Sequence, residues 1–172
     1  KLPALFTDHM VLQQGQKNRV WGWAEPGEEL TVAIGEQKHQ TTAGKDGKWL
    51  VTLNALEVGG PHTLNVSGKN KLQVQDVLVG EVWICSGQSN MGFTVASSHE
   101  PDLESVCSRF PRLRLISVPP VGIQEPQDDF KGQWEEATNP ELIKQFSAVG
   151  FFYGRLLHQI LDVPVGLIDN AW

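Results

Sequence analysis

The sequence predicts a parallel α/β sheet preceded by an all-β sandwich, and three observations lead to this fold class. Short apolar or alternating runs separated by turn residues recur through residues 1–75, which is typical of a small β-sandwich. From residue 76 onward, strand-like runs alternate with helical segments, the pattern of a parallel α/β sheet. Hydrophobic residues make up 40% of the 172 residues and charged residues 20%, as in a globular protein with a buried core.

The all-β region is predicted from five short runs. They are residues 10–12, 20–23, 30–34, 49–53 and 62–66. Turn signals rich in Gly, Pro, Asp and Asn separate them, at 25–28, 44–48, 59–61 and 67–70. We therefore assign residues 1–75 to a β-sandwich domain. Residues 76–172 are predicted to be the first part of an α/β domain, which residues outside this chain would complete.

The α/β region contains three predicted strands, at residues 77–85, 113–118 and 163–168. A short helix is expected at 101–109 and a polar surface loop at 121–140. The clearest helix follows Ser147, a suitable N-cap, and is expected to pack on the sheet. One apolar face recurs along this helix at i, i+3, i+4 and i+7, formed by Val149, Phe152, Tyr153, Leu156, Leu157, Ile160 and Leu161.

Composition and spacing exclude several classes of function. The net charge is −6 and no block of like charge stands out, so nucleic acid is not an expected partner. No apolar run reaches the 18 or so residues needed to span a membrane. His and Cys residues show no zinc-ligand spacing, Asp128 and Asp129 are expected to be solvated in a loop, and no phosphate-binding glycine loop is present. We therefore expect no metal and no cofactor.

The pairing of the two cysteines is left open by the sequence. Cys85 and Cys107 could form a disulfide in an oxidising compartment. Alternatively, Cys85 is a small hydrophobic residue of the apolar strand in which it lies.

A serine-containing turn is the most informative feature of the chain. Residues 86–91 read Ser-Gly-Gln-Ser-Asn-Met and follow directly on an apolar run. A hydrolase can present its nucleophile in such a turn, because the backbone N–H groups of the turn then face the oxyanion. We therefore predict Ser89 as the nucleophile. Gly87, Gln88 and Asn90 are predicted to support the turn. The alternative is that Ser89 is a structural serine that caps the next helix.

The ligand crevice of an open α/β sheet lies just past the carboxyl ends of its strands. The predicted third strand ends at residue 168, so we expect Asp169, Asn170 and Trp172 to lie near Ser89 in this crevice. The base is harder to place, because the five histidines are His9, His39, His62, His99 and His158. The first three lie in the all-β region, and the last is off the apolar helix face and is expected to be exposed. His99, ten residues after Ser89, is unlike the known triad arrangements, so the base is expected outside this chain.

The nucleophile block, residues 80–91, resembles that of the sialate O-acetylesterase family. These are carbohydrate esterases of the SGNH-hydrolase type, and some relatives act on acetylated xylan. Residues 2–13, 146–150 and 163–168 are also similar to stretches of that family. The four matches occur in the family's order and are spread over residues 2–168.

The resemblance implies specific roles. Ser89 would be the nucleophile, and its own N–H would be one donor of the oxyanion hole. In the family, two glycines after the position of Trp172 supply a second N–H, and an Asn further on supplies a side-chain donor. A His oriented by an Asp a few residues earlier completes the site, and none of these positions exists in this chain. Gly92 departs from the acidic residue that family members often carry there, which leaves the support of the turn in question.

The sequence therefore predicts a serine esterase that removes O-acetyl groups from sialic acid or from an acetylated polysaccharide such as xylan, through an acyl-serine intermediate. We expect a second polypeptide fragment to carry the catalytic His and Asp, in a heterodimer or a dimer of such pairs. This chain alone is then close to inactive. The start Lys1-Leu2-Pro3 resembles a mature chain, so with the family resemblance we expect a secreted, periplasmic or lysosomal-type compartment, the signal peptide having been removed.

Two other functions remain open from the sequence. The β-sandwich could be a non-catalytic carbohydrate-binding or structural unit that uses Trp21, Trp23 and Trp49 as a stacking platform. A lipase or thioesterase of the same superfamily is the weaker alternative, since no long apolar groove or lid is recognisable in these residues.

Overall fold

The computed structural model describes residues 1–122 and 124–172. Within these ranges the strands are β1 (Val11–Gln13), β2 (Arg19–Trp23), β3 (Glu29–Ile34), β4 (Gln37–Thr42), β5 (Lys48–Thr52), β6 (Gly59–Ser67), β7 (Lys71–Gly87), β8 (Phe110–Ser117), β9 (Glu135–Ala137) and β10 (Val165–Ala171). The helices are α1 (Pro101–Cys107), α2 (Pro140–Gln145) and α3 (Ala148–Leu161), with a 3₁₀ turn at Val95–Ser97. None of the helices in these ranges has the length and apolar character needed to cross a membrane.

A mixed sheet of eight strands runs through the molecule in the order β4-β3-β6-β7-β10-β8-β9, and β1 also pairs with β7. The long strand β7 pairs antiparallel with β6 through residues 71–79. It then pairs parallel with β10 through residues 81–87, and β10 pairs parallel with β8. The predicted parallel strands are thus confirmed, as one part of a mixed sheet. Their carboxyl ends lie at the same edge.

The first 75 residues contain strands and no helix. The five predicted runs fall on β1, β2, β3, β5 and β6. Strand β4 was missed because its sequence, Gln-Lys-His-Gln-Thr-Thr, contains no apolar residue. A separate N-terminal sandwich is not confirmed, because β7 carries the same sheet into the α/β part. The division between residues 75 and 76 falls inside β7, and the two-domain organisation stays a prediction.

The buried side chains form two clusters. The first lies between the antiparallel part of the mixed sheet and the small β2–β5 sheet, and includes Val20, Val32 and Leu64. The second lies under α2 and α3 and includes Phe151 and Leu167. This second cluster fixes the carboxyl ends of β7, β8 and β10, where the predicted site residues lie.

Helix α3 packs on the sheet through a different face from the one expected. Its buried residues include Ala148, Phe151, Gly154 and His158, and a Cβ on Gly154 would lie 2.6 Å from Leu167 Cδ1. Small residues therefore bring the helix backbone close to β10. Most of the predicted apolar face is exposed instead, namely Val149, Tyr153, Leu156, Ile160 and Leu161. His158, predicted to be exposed, is buried, and its Nδ1 lies 2.6 Å from the carbonyl oxygen of Val163.

The segment 121–140 is not only a surface loop. Strand β9 pairs antiparallel with the edge of β8, and α2 begins at Pro140 after the N-cap Asn139. Trp134 is buried and donates its Nε1–H to the carbonyl of Leu5 at 2.8 Å. The loop prediction is therefore wrong for residues 134–140, where one large side chain anchors the segment to the core. Ile123, which also belongs to the predicted loop, lies outside the described residues.

A charged network joins the start of β8 to β7. The buried Arg114 donates from Nη1 to Asp76 Oδ2 at 2.6 Å, and His9 Nδ1 lies 2.7 Å from the same oxygen. Glu136 Oε1 lies 3.6 Å from Arg114 Nη2. His9, Asp76 and Glu136 have side-chain ligand atoms within 4.8 Å of one another. Because the Arg114 guanidinium already supplies the positive charge there, this arrangement is better explained as an ion-pair network than as a metal site.

Asp76→Asn is expected to remove an acid-sensitive part of the stability. Burial raises the pKa of Asp76, but Arg114 and His9 outweigh it and hold the pKa below its ordinary value of 3.8. The contribution of Asp76 is therefore complete above pH 3.8 and is lost as the pH falls through the lower folded-state pKa. Asn tolerates the positive φ of 52° at this position. Urea titrations should be made from neutral pH to about pH 2. The free energies of unfolding of Asp76→Asn and of the unaltered chain should differ at neutral pH and converge in acid.

The control for this experiment is Glu36→Gln, since Glu36 lies exposed in the turn between β3 and β4. It should keep the pH profile of the unaltered chain. A difference between Asp76→Asn and the unaltered chain that stays constant across the whole pH range would contradict the assignment.

Candidate active site

Ser89 lies in an exposed turn directly after β7. The strand ends at Gly87, whose φ of 149° favours glycine. The carbonyl of Gln88 accepts the N–H of Gly92 at 2.9 Å, which closes the turn around Ser89. Neither the hydroxyl nor the N–H of Ser89 has a hydrogen-bond partner among the described residues. Both groups of Ser89 are thus free to act on a ligand.

The helix-capping alternative for Ser89 is not supported. The next helical element is the 3₁₀ turn at Val95–Ser97, and its N-cap is Thr94. Asn90, predicted to support the turn, is exposed, and so is Gln88. The turn therefore presents Ser89 to solvent through its backbone shape rather than through side-chain bonds of its neighbours.

The end of β10 lies beside this turn. In the parallel pairing, Asn170 is opposite Ser86 and Ala171 is opposite Gly87. The N–H of Trp172 donates to the carbonyl of Gly87 at 2.7 Å. The structure thus brings the predicted nucleophile turn and the predicted crevice residues Asn170 and Trp172 together.

A cavity of about 1200 Å³ opens at this edge of the sheet. Its walls come from the ends of β7 and β10 and from the segment after β8. The lining residues are Ser86, Gly87, Gln88, Val118, Pro119, Pro120, Val121, Gly122, Gln124, Gln127, Asp129, Phe130, Lys131, Asn170, Ala171 and Trp172. Ser89 is the next residue after the lining residue Gln88, so its turn stands at the rim of the cavity.

Ser147 holds the turn that contains Ser89 against helix α3. Its hydroxyl donates to the carbonyl of Met91 at 2.6 Å, and the same oxygen accepts the N–H of Gly150 at 3.2 Å as the predicted N-cap. The backbone supports this contact, because the N–H of Ala148 donates to the carbonyl of Phe93 at 2.8 Å. The sequence showed Ser147 only as a helix cap. Its contact with the turn depends on chain segments 56 residues apart.

Asp169 lies next to the crevice, where its carboxylate binds backbone N–H groups. Its carboxylate accepts the N–H of Ser147 at 3.3 Å and the N–H of Ala171 at 3.1 Å. The carboxylate therefore orders the end of β10 and the start of α3, while Asn170 and Trp172 line the cavity.

Burial, followed by the negative charge of Asp169, raises the pKa of the Cys85 thiol to about 11.

The two cysteines are expected to react with thiol reagents at very different rates. Both are free; Cys85 is buried and Cys107 is exposed. Because the thiolate is the reactive form, a pKa of about 11 keeps Cys85 unreactive near pH 8. Ellman's reagent should modify one thiol quickly and the second only after denaturation, and Cys107→Ser should lose the fast phase. Two fast thiols in the folded chain would contradict this placement of Cys85.

No histidine in the described part of the chain hydrogen-bonds the Ser89 hydroxyl. His99 is exposed, and its Nδ1 lies 3.9 Å from Glu100. His9 contacts Asp76, which lies on β7 well before its end at Gly87. At about 3.3 Å per residue, the strand between Asp76 and Gly87 is up to roughly 36 Å long. The structure thus places the Ser89 turn beside a cavity, and no histidine of residues 1–122 and 124–172 is bonded to that serine.

The mixed sheet with its parallel strands fits an α/β-hydrolase-like fold. An exposed serine turn lies at the carboxyl edge of these strands, next to the large cavity. No protein-family model matches the sequence. The chain is 31% identical over 192 aligned residues to the sialate O-acetylesterase of Homo sapiens, an alignment that covers 100% of this chain and 37% of the relative. The Mus musculus sialate O-acetylesterase is 32% identical, with 100% and 36% covered.

A solved structure agrees with these relatives. The crystal structure of a carbohydrate acetylesterase from Xanthomonas citri superposes with a TM-score of 0.94 at 35% identity, covering 100% of this chain and 40% of that one. The resemblance of this chain to the sialate O-acetylesterase family is thereby confirmed over its whole length. The chain spans a little over a third of the length of the curated relatives that it matches, 37% of the human protein.

Proposed function

We propose that this chain carries the nucleophile of a carbohydrate O-acetylesterase of the SGNH-hydrolase type, with Ser89 as the attacking residue. The observation that carries the proposal is the exposed Ser89 turn at the rim of a cavity of about 1200 Å³. Similarity over the whole chain to sialate O-acetylesterases and to a carbohydrate acetylesterase supports it. The substrate is an acetylated sugar, either sialic acid or an acetylated polysaccharide such as xylan.

The reaction follows the chemistry of serine esterases. A base removes the proton of Ser89 as its oxygen bonds to the acetyl carbon, and the Ser89 N–H donates to the oxyanion that forms. The ester C–O bond then breaks, and the sugar hydroxyl leaves with the proton taken from Ser89. Water hydrolyses the acetyl-serine, releasing acetate and restoring the hydroxyl. Gly87 and Gln88 hold the shape of the turn, and Asn170 and Trp172 flank the bound sugar.

The base and its orienting carboxylate, a His and an Asp, come from a second polypeptide segment. Support for this comes from the sheet, because residues 81–87 of β7 pair with β10 while β1 and β6 pair only with residues up to Gly80. One edge of β7 beside the nucleophile turn is thus open within the described part of the chain. Unpaired edges and exposed apolar faces are normally covered by another element.

An apolar surface next to this open edge fits the same partner. Trp83 is 42% exposed and Ile84 is 67% exposed. The ring of Trp83 contacts that of Tyr153 on α3 with centroids 5.1 Å apart, and Leu156 and Ile160 extend the exposed face along the helix. A strand and a helix from the second segment would cover both surfaces and carry the His and the Asp to Ser89.

Size measurement tests the partner. Purified protein should elute in gel filtration above the 19.0 kDa of this chain and contain a second polypeptide segment. A well-folded species that elutes as a lone 19.0 kDa monomer would contradict the proposal.

The extracytoplasmic location stays a prediction.

Acetate release tests the function. The protein assembled with its second segment should release acetate from acetylated xylan or O-acetylated sialic acid. This chain alone should be close to inactive, because a positioned base contributes about 10² to 10⁴ in rate and each oxyanion donor roughly 3–4 kcal/mol. Robust turnover by residues 1–172 alone would overturn the split site. Absence of acetate release from every acetylated sugar by the assembled protein would overturn the function.

A further inference from the structure

A second cleft lies against the small β2–β5 sheet. It measures about 270 Å³ and is lined by Trp21, Gly22, Trp23, Lys48, Trp49, Leu50 and Asp128. Trp21 and Trp23 are two residues apart on β2, so their side chains project from the same face of the strand. Both are half-buried, and Leu50 on the neighbouring strand is 50% exposed. The two indole rings and Leu50 thus form a partly exposed apolar wall, in which Trp21 also packs against the core.

Charged groups surround this aromatic wall. Lys48 Nζ lies 2.7 Å from Asp128 Oδ2, and both side chains are exposed. Lys1 Nζ lies 5.0 Å from the centroid of the Trp23 ring and 2.7 Å from Asp129 Oδ2. The buried Nε1–H of Trp49 has no hydrogen-bond partner among the described residues.

This combination of groups matches the chemistry of a sugar ring. A pyranose has an apolar C–H face that packs on an indole and a rim of hydroxyls that hydrogen-bond to charged groups. Apolar walls with a few polar groups are typical of small-molecule sites. The cleft is about a quarter of the volume of the large cavity, which suits one or two sugar units.

Neighbouring residues of one short segment line the cleft and the large cavity. Asp128 lines the cleft, whereas its neighbours Gln127, Asp129 and Phe130 line the large cavity. The segment is anchored, because Asp129 accepts the N–H groups of Ala4 and Phe130 at 2.8 and 3.0 Å. Asp129 was expected to be simply solvated. Burial raises its pKa, but Lys1 and these two N–H groups outweigh burial and lower the pKa overall.

We infer that the Trp21–Trp23 cleft is a subsite for an acetylated oligosaccharide chain, and that it binds sugar units that neighbour the unit deacetylated at Ser89. The inference rests on the proposed function and deepens it, because it selects oligosaccharides and polysaccharides over free acetylated monosaccharides as substrates. It also joins the predicted esterase to the carbohydrate-binding role that the sequence left open, since the tryptophans serve the esterase rather than replace it.

Trp23→Ala is the variant that tests the subsite. Trp21 packs on the core and contacts Phe6, with ring centroids 4.7 Å apart, so its removal would also disturb folding. Trp23 contacts Lys1 rather than the core. The control is Leu103→Ala, since Leu103 is 57% exposed on α1, away from the cleft residues.

Two readouts use the full protein with its second segment. The first is the ratio of kcat/KM for an acetylated xylan oligosaccharide to kcat/KM for 4-nitrophenyl acetate, which Trp23→Ala should lower about tenfold. The second is the Kd of the same oligosaccharide for the Ser89→Ala protein, which added Trp23→Ala should raise by a similar factor. Leu103→Ala should change neither value.

An unchanged ratio together with an unchanged Kd would overturn the subsite. If neither ester were hydrolysed by the unaltered protein, the proposed function would fail. The binding experiment would still decide the subsite in that case, because it needs no turnover.

Discussion

Ser89→Ala is expected to lower ester turnover by on the order of 10³-fold or more in the protein assembled with its second segment. The substitution removes the oxygen that bonds to the acetyl carbon, and the water reaction that remains lacks a covalent intermediate. Folding should be unaffected, because Ser89 is exposed and its hydroxyl makes no hydrogen bond in the described residues. Release of 4-nitrophenol from 4-nitrophenyl acetate measures the effect.

Ser97→Ala is the matched control for this experiment. Ser97 is also exposed, and its hydroxyl has a single long contact, 3.4 Å from Thr94 Oγ1. It should retain the turnover of the unaltered protein. Retention of substantial turnover by Ser89→Ala would contradict the assignment of the nucleophile.

Gly80→Ala is expected to destabilise the fold by about 3 kcal/mol. A Cβ at Gly80 would lie 2.0 Å from the carbonyl oxygen of Pro164 and 2.7 Å from its carbonyl carbon. These are backbone atoms, so no side-chain movement relieves the clash. The N–H of Glu81 also donates to the same Pro164 carbonyl at 2.9 Å. Relief of the clash therefore requires β7 to move away from the start of β10.

The midpoint of urea unfolding measures this effect, with Gly122→Ala as the control. At Gly122 the nearest atom to an added Cβ is 3.9 Å away, in Trp172. The control should shift the midpoint by little. Equal shifts for both variants would contradict the close approach of the two strands at Gly80.

The local features of the site were predictable from the sequence, whereas its long-range contacts were not. The small-residue turn after an apolar strand indicated Ser89, and the ends of parallel strands placed Asn170 and Trp172 near it. The bonds from Trp172 to Gly87 and from Ser147 to Met91 depend on pairing between distant segments. No local pattern encodes such pairing.

The fold shows the same division. Apolar runs indicated the buried strands, but the polar edge strand β4 carries no such signal. The periodicity of α3 identified a helix but not the face that packs. Gly154 and Ala148 allow closer approach to β10 than large side chains do, so the small-residue face is buried. The larger apolar face is exposed in the described part of the chain.

The walls of the two cavities could not be predicted from the sequence, because residues 127–131 carry no regular pattern. Asp128 lines the Trp21–Trp23 cleft and its neighbours line the large cavity. This placement follows from the anchoring of Asp129 by Lys1 and Ala4 near the amino terminus. Such an anchor becomes visible only once the chain is folded.

The most direct test of the central claim is labelling with a fluorophosphonate probe, followed by intact-mass measurement of every polypeptide in the purified sample. Such probes bond to serine hydroxyls that a base has activated. We expect one adduct, located at Ser89, in a sample that also contains the second polypeptide segment, and no adduct on the lone 19.0 kDa chain. An assembled sample that remains unlabelled at Ser89 would contradict the claim that this chain carries the nucleophile of an esterase.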